Sequence, residues 1–209
     1  SDKTQVLLQS DDGFFEDNQG DWESPAGEAG LRYQETHSVP VLSDFDQDGV
    51  LDLSISATYE GRPSDFYWGQ GDGTFELDNY QTGMTVRNGW CQTVSDLDND
   101  GDVDLLSSGV VLENTGQGID AGHWLQIRAV GNLNSNSAAL GATVRVEAGT
   151  HQWIRHVSGG NGQGCQDSST LHFGLGDITE IDTVEIDFPG GEPVLFEGPF
   201  AADQRIWLS

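Results

Sequence analysis

SDFDQDGVLDL at residues 43–53 returns as SDLDNDGDVDL at residues 95–105, without a gap, at an offset of 52 residues from Asp44 to Asp96. Both stretches read D-x-D-x-D-G-x-x-D. Alternate residues of a tight loop can all turn their carboxylates inward, which suits a hard cation that takes six to eight oxygens at about 2.3–2.6 Å. The expected ligands are Asp44, Asp46, Asp48 and Asp52 in the first loop and Asp96, Asp98, Asp100 and Asp104 in the second, with a main-chain carbonyl from Val50 and from Asp102. Gly49 and Gly101 permit the sharp turn that follows the third aspartate. A solvated acidic turn would not need four aspartates and a glycine at fixed places, twice. Ca²⁺ is expected over Mg²⁺, which rarely uses all-protein cages, so two calcium sites are predicted. The EF-hand is excluded, because both loops lack its Glu at position 12 and strands flank them instead of helices.

Outward from the loops, the flanks are strand-like. VPVLSDF and CQTVSDL precede them, VLDLSIS and DVDLLSS follow, and FYWGQGDGTFELDN and VLENTGQG continue each unit. These runs alternate or stay apolar at strand length, and helical periodicity is nearly absent. VLLQSDDGFFEDN at residues 6–18 matches the tail of a preceding copy. From His123 the aspartate loops stop. HWLQIRAV reads as a strand, and GATVRVEAGTHQWIRHVSG as a hairpin around Ala148-Gly149-Thr150, with Val144, Val146, Trp153 and Ile154 as core candidates. A boundary at about 118–122 divides a repeat region, 1–120, from a second β module, 121–209.

The chain carries 35 acidic and 8 basic residues, a net charge of −27. Such a surface disfavours nucleic acid and anionic membranes and suits a salty, divalent-rich medium, or serves only for solubility. Two bound calcium ions would offset only four of those charges. No run approaches the roughly 20 apolar residues that span a bilayer, so membrane insertion is not expected. The chain opens at Ser1 without an initiator Met or a signal pattern, as a mature product or fragment would. Cys91 and Cys165 could form one disulfide or remain two buried thiols.

No H-E-x-x-H, G-x-S-x-G or Cys/His metal spacing occurs, and His37, His123, His151, His156 and His172 read as structural. A carboxylate pair acting on glycosidic bonds is the enzyme alternative. Exposed aromatics beside polar groups suit sugar or protein recognition, but most of Trp22, Tyr67, Trp68, Tyr80, Trp90 and Trp124 are expected in the core. Tyr67 and Trp68 should face opposite sides of a strand. Polar loops at Tyr59–Ser64, Asn132–Ser137 and Gly159–Gly164 are the candidate contact surfaces, as loops on a β scaffold usually are.

DFDQDGVLDL, WGQGDGTF and DLDNDGDVDL make residues 1–120 resemble FG-GAP/VCBS repeats, the calcium-bearing blades of propellers in integrin α-subunits and many secreted proteins. Two and a part repeats cannot close a seven-bladed ring, so the expected fold is all-β: a reduced propeller-like arrangement followed by a β-sandwich-like module. LGATVRV, QWIRHVSGG, CQDSSTLHFGLG, IDTVEIDFPGG and ADQRIWL make residues 123–209 resemble the ASPIC/UnbV module of cartilage acidic protein and its bacterial relatives. Cys165 replaces that family's usual Ser before Gln, and Phe188 its usual Trp before Pro. The module brings no established catalytic residues. Together the resemblances imply an extracellular, calcium-dependent protein that binds a cell-surface receptor or glycan, or a matrix component, and is not an enzyme. The alternative is a secreted or matrix structural protein whose calcium only stabilises the fold. A narrower resemblance is to the receptor-binding part of spike proteins from marine, lipid-containing bacteriophages, which attach the virion to its host.

Overall fold

The structure is a computed structural model that describes residues 7–9, 15–17, 29–32, 34, 36–116, 122–131 and 135–209. The expected boundary at 118–122 falls largely outside the described residues. So do Trp22, residues 132–134 of one candidate contact loop, and most of the partial copy at 6–18. The described residues are all-β and contain no helix. β1 (Leu7–Gln9) and β2 (Phe15–Asp17) pair antiparallel as a two-stranded ribbon. The chain then divides into two compact units. The first comprises Ser1–Leu42, Val50–Gln92 and Ser107–Val110; the second comprises Ser43–Gly49, Thr93–Leu106 and Val111–Ser209.

In the first unit the sequence repeat becomes an open sheet in chain order. β3 (His37–Ser43), β4 (Asp52–Ala57), β5 (Asp65–Gly69) and β6 (Phe75–Leu77) lie side by side, as a propeller blade would. The second copy, whose residues Thr93–Leu106 belong to the second unit, gives a shorter open sheet, β7 (Gln92–Ser95), β8 (Asp104–Ser107) and β9 (Val110–Leu112). β4 is buried along its whole length. Its apolar face sends Leu53 and Ile55 into a cluster with Leu31, Tyr67 and Phe75. Its other face carries Asp52, Ser54 and Ser56, and Ser56 Oγ accepts from the Val39 amide at 3.0 Å. Small side chains there let backbone approach closely: a Cβ on Gly89 would meet Ser107, Ser64 and Ser56 side-chain atoms at 3.0–3.3 Å. Tyr67 is buried, and the adjacent Trp68, half-buried, donates its indole N–H to Asp78 at 3.1 Å, as strand alternation requires.

Asp65 is fully buried in this unit, and its carboxylate is surrounded by donors. Arg32 Nε donates at 2.7 Å and its Nη2 closes a second bond. His37 lies at 3.0 Å, Asn79 Nδ2 at 3.0 Å and the Tyr67 hydroxyl at 3.1 Å. Burial alone would raise this carboxyl. The donors from His37, Arg32 and Asn79 outweigh it and hold Asp65 far below the usual carboxylate range.

The second unit carries a two-sheet module. β10 (His123–Ala129) lies between β13 (Thr170–Gly176), antiparallel to it, and β16 (Gln204–Leu208), parallel to it. β12 (His151–His156), β11 (Thr143–Ala148), β14 (Glu180–Asp187) and β15 (Val194–Ala201) form the other sheet in that order. Leu125, Ile127, Leu171, Phe173 and Leu175 from the first sheet meet Val144, Val146, Trp153, Val184 and Ile186 from the second in one core. That is the expected sandwich. Ala148 pairs with His151, leaving Gly149-Thr150 as the two-residue turn of the expected hairpin. One core expectation fails. Ile154 is 42% exposed, because it neighbours the inward-facing Trp153 on a strand that alternates. Both cysteines are disulfide-bonded and none is free.

Candidate metal centre

Both aspartate loops contribute to the second unit, as Ser43–Gly49 and Thr93–Leu106. Oxygens of Asp44, Asp46 and Asp48 lie within 4.8 Å of one another, and so do those of Asp96, Asp98 and Asp104. Backbone amides aim the carboxylates. Asp44 accepts from the Gly49 amide at 3.0 Å, Asp46 from Asp48 at 3.3 Å, Asp96 from Asn99 at 2.7 Å and Asp98 from Asp100 at 3.3 Å. Asp104 is buried and accepts from Leu97 at 2.8 Å and Asn114 at 2.9 Å. Asp100 is exposed and accepts from the Asp102 amide at 2.9 Å. Val50 and Asp52 belong to the first unit, where the buried Asp52 accepts from the Gly69 amide at 2.9 Å.

The crowding of like charges registers in the electrostatics. Burial, then the neighbouring Asp100, Asp96, Asp104 and Asp98, push Asp102 up to about 6. Burial and Asp48 raise Asp46, and burial and the adjacent aspartates raise Asp100. Carboxylates that resist ionising together are relieved by a divalent cation, so the donor set fits one. All-oxygen donors of this kind favour a hard ion.

The loops are held by residues that motif reading does not single out. Position four of each loop, Gln47 and Asn99, has a positive φ, 64° and 65°. The carbonyl of Gln47 accepts from the Gly176 amide at 2.9 Å, and its side chain donates to Asp102 Oδ1 at 2.6 Å in the other loop. Asn99 Oδ1 accepts from Arg205 at 2.9 Å. Gln126 and Arg205 both donate to Asp96 Oδ2, at 2.8 and 3.2 Å. Asn114 donates to the Phe45 carbonyl at 2.7 Å. The two loops are therefore tied to each other and to the outer face of the β13–β10–β16 sheet. A helpful signal was available for Asn99 alone, since asparagine tolerates the left-handed region.

Glycines make that seating possible. A Cβ on Gly174 would meet an Asp44 oxygen at 2.0 Å, and a Cβ on Gly101, at φ 101°, would meet Trp124 ring atoms at 2.3 Å. Gly101→Ala should therefore cost about 1–3 kcal/mol or more, from backbone strain and overpacking together. Gly109→Ala, at φ 84° with nothing within 4 Å, should cost less. Chemical denaturation of both variants checks this, and equal losses would remove the packing role of Trp124.

Beneath the first loop lies Arg155, whose guanidinium sits 5.5 Å from the Phe173 ring centre. Burial lowers Arg155, and Asp44 opposes that shift. Burial, with Arg155 second, pushes His172 down to about 3, so its ring is neutral. His172 also stacks on Trp124 at 6.4 Å. His172 is therefore a packed, buried position.

The family model for "ASPIC and UnbV" matches residues 131–209, and that for "FG-GAP-like repeat" matches residues 44–107. No curated protein matches the chain.

Proposed function

From a chain that joins an FG-GAP-like repeat to an ASPIC/UnbV region, we propose an extracellular calcium-binding recognition protein that attaches to a cell-surface or matrix partner and catalyses nothing. The carrying observation is the pair of aspartate clusters, Asp44/Asp46/Asp48 and Asp96/Asp98/Asp104, gathered in one compact unit. Calcium in these loops would fix the turns and, through Gln47, Asn99 and Asp96, the sheet against which they lie. Asp100 and the carbonyl of Asp102 would complete the coordination shell of the second loop. A rigid β scaffold with bound cations is suited to presenting loops to a partner. No helix among the described residues is long and apolar enough to cross a membrane.

A glycan array probed with purified protein, with and without calcium, tests this reading. Calcium-dependent binding without turnover is expected. Released product would point to a carboxylate hydrolase instead. Silence on the array and on whole cells would leave calcium with a purely structural role. The narrower reading, the attachment part of a virion spike, predicts that the protein competes with intact particles for a susceptible host.

A further inference from the structure

The first unit holds an exposed aromatic pair that its fold does not require to be exposed. Tyr59 is 63% and Trp90 47% exposed, and their rings meet edge to face at 6.3 Å. Trp90 is nevertheless held by two hydrogen bonds and by its chain neighbours. Its amide donates to Ser108 Oγ at 3.0 Å and its indole N–H to Asn88 Oδ1 at 2.9 Å. Gly89 before it donates to the Ala57 carbonyl at 2.7 Å and is wedged among serine side chains. Cys91 after it is disulfide-bonded, and its carbonyl accepts from Ser107 Oγ at 3.1 Å and the Ser108 amide at 3.2 Å. Tyr59, Asn88 and Ser108 all have positive φ, at 74°, 59° and 47°. For a bulky tyrosine that conformation is an outlier, and strain of this kind gathers at ligand sites.

The charge beside the rings identifies the occupant. Pro63 bridges Arg87 in antiparallel fashion and the Asn88 amide donates to the Arg62 carbonyl at 3.4 Å, so Arg62 and Asn88 are opposite one another. Directly opposed residues share a face. Arg62 is exposed and enters no ion pair among the described residues, in a chain of net charge −27. Two rings offer at most a few hundred Å², well short of the roughly 800 Å² per partner of a stable protein interface. That area suits a single sugar ring, whose C–H face covers an indole while its polar groups reach Asn88. A guanidinium with no ion pair among the described residues selects a carboxylate or sulfate on that sugar. We propose that Tyr59, Arg62, Asn88 and Trp90 form a binding site for an anionic saccharide. This rests on the recognition reading above and gives it a place and a ligand class. Glu60, exposed and without a hydrogen bond among the described residues, is the one acidic group adjoining Tyr59 in the chain and tempers affinity.

Affinity electrophoresis of the full chain in native gels tests the site, with polygalacturonate as the carboxylated probe, dextran sulfate as the sulfated one and dextran as the neutral control. Retardation by at least one anionic polymer and none by dextran is expected. Trp90→Ala and Arg62→Ala should each weaken it about tenfold or more, Trp90→Phe should retain most of it, and Glu60→Gln should strengthen it. Arg145→Ala, in the other unit, should leave it unchanged. Near-UV circular dichroism reports folding, and if Trp90→Ala does not fold, Arg62→Ala and Trp90→Phe carry the test. Absence of retardation by both anionic polymers overturns the site, as does equal retardation of folded wild type and Arg62→Ala, or an equal loss in Arg145→Ala. A glycan-array signal that survives Trp90→Ala removes this site and leaves the recognition reading standing, whereas no signal from the wild type removes that reading itself.

Discussion

Asp65→Ala is expected to destabilise the first unit by about 3–5 kcal/mol, the cost of breaking a buried, hydrogen-bonded ion pair by removing one partner. Asp65 is fully buried and accepts from Arg32, His37, Asn79 and Tyr67. Deleting its carboxylate strands those donors around an empty acceptor. Asp65→Asn should recover part of the loss, because it keeps an acceptor oxygen but not the charge. The pH dependence has a definite sign. The folded carboxyl lies below its unfolded value of about 3.9. Its contribution is therefore complete above that value and is withdrawn as pH falls through the folded one. Urea titrations of wild type and Asp65→Ala between pH 7 and pH 2 should converge in acid. A constant gap across that range would mean that packing, not charge, sets the cost.

Calcium should stabilise the second unit, which contains both aspartate clusters. A ligand confined to the native state adds RT ln(1 + [L]/Kd), about 1.4 kcal/mol per site at ten times Kd and about 2.7 at a hundred times. With Kd in the range of about 10⁻⁴–10⁻³ M typical of extracellular calcium modules, the effect should develop at millimolar calcium. For two sites at tenfold excess it amounts to roughly 5–10 °C in Tm. Asp96→Asn, which weakens one cluster, should remove about half of the gain. Coincident melting curves in EGTA and in excess calcium, on protein shown to be metal-free after chelation, would count against calcium in these loops.

Much of this was legible in the sequence for local reasons. The aspartate spacing, the glycine after the third aspartate and the strand flanks are short-range patterns, and they became two carboxylate clusters between strands. Gly149-Thr150 was readable because a two-residue hairpin needs such a turn. What was hidden depends on approach in three dimensions. Nothing local marks Arg32, His37, Asp65 and Asn79 as one network. Gly174 looks like any strand glycine until Asp44 is placed against it. Gln47 reads as a loop filler, yet it joins the two loops through Asp102. The expectation that most aromatics are core holds for Tyr67 and fails for Tyr80, 95% exposed, and for Trp90. Hydrophobicity alone does not say which ring a fold will leave in water.

The most direct test of calcium in both loops is isothermal titration of chelator-treated protein with CaCl₂, alongside Asp46→Asn/Asp48→Asn and Asp98→Asn/Asp104→Asn variants. Two calcium ions per wild-type chain and one per variant are expected. No binding by the wild type at millimolar calcium, or an unchanged stoichiometry of two in both variants, would contradict it.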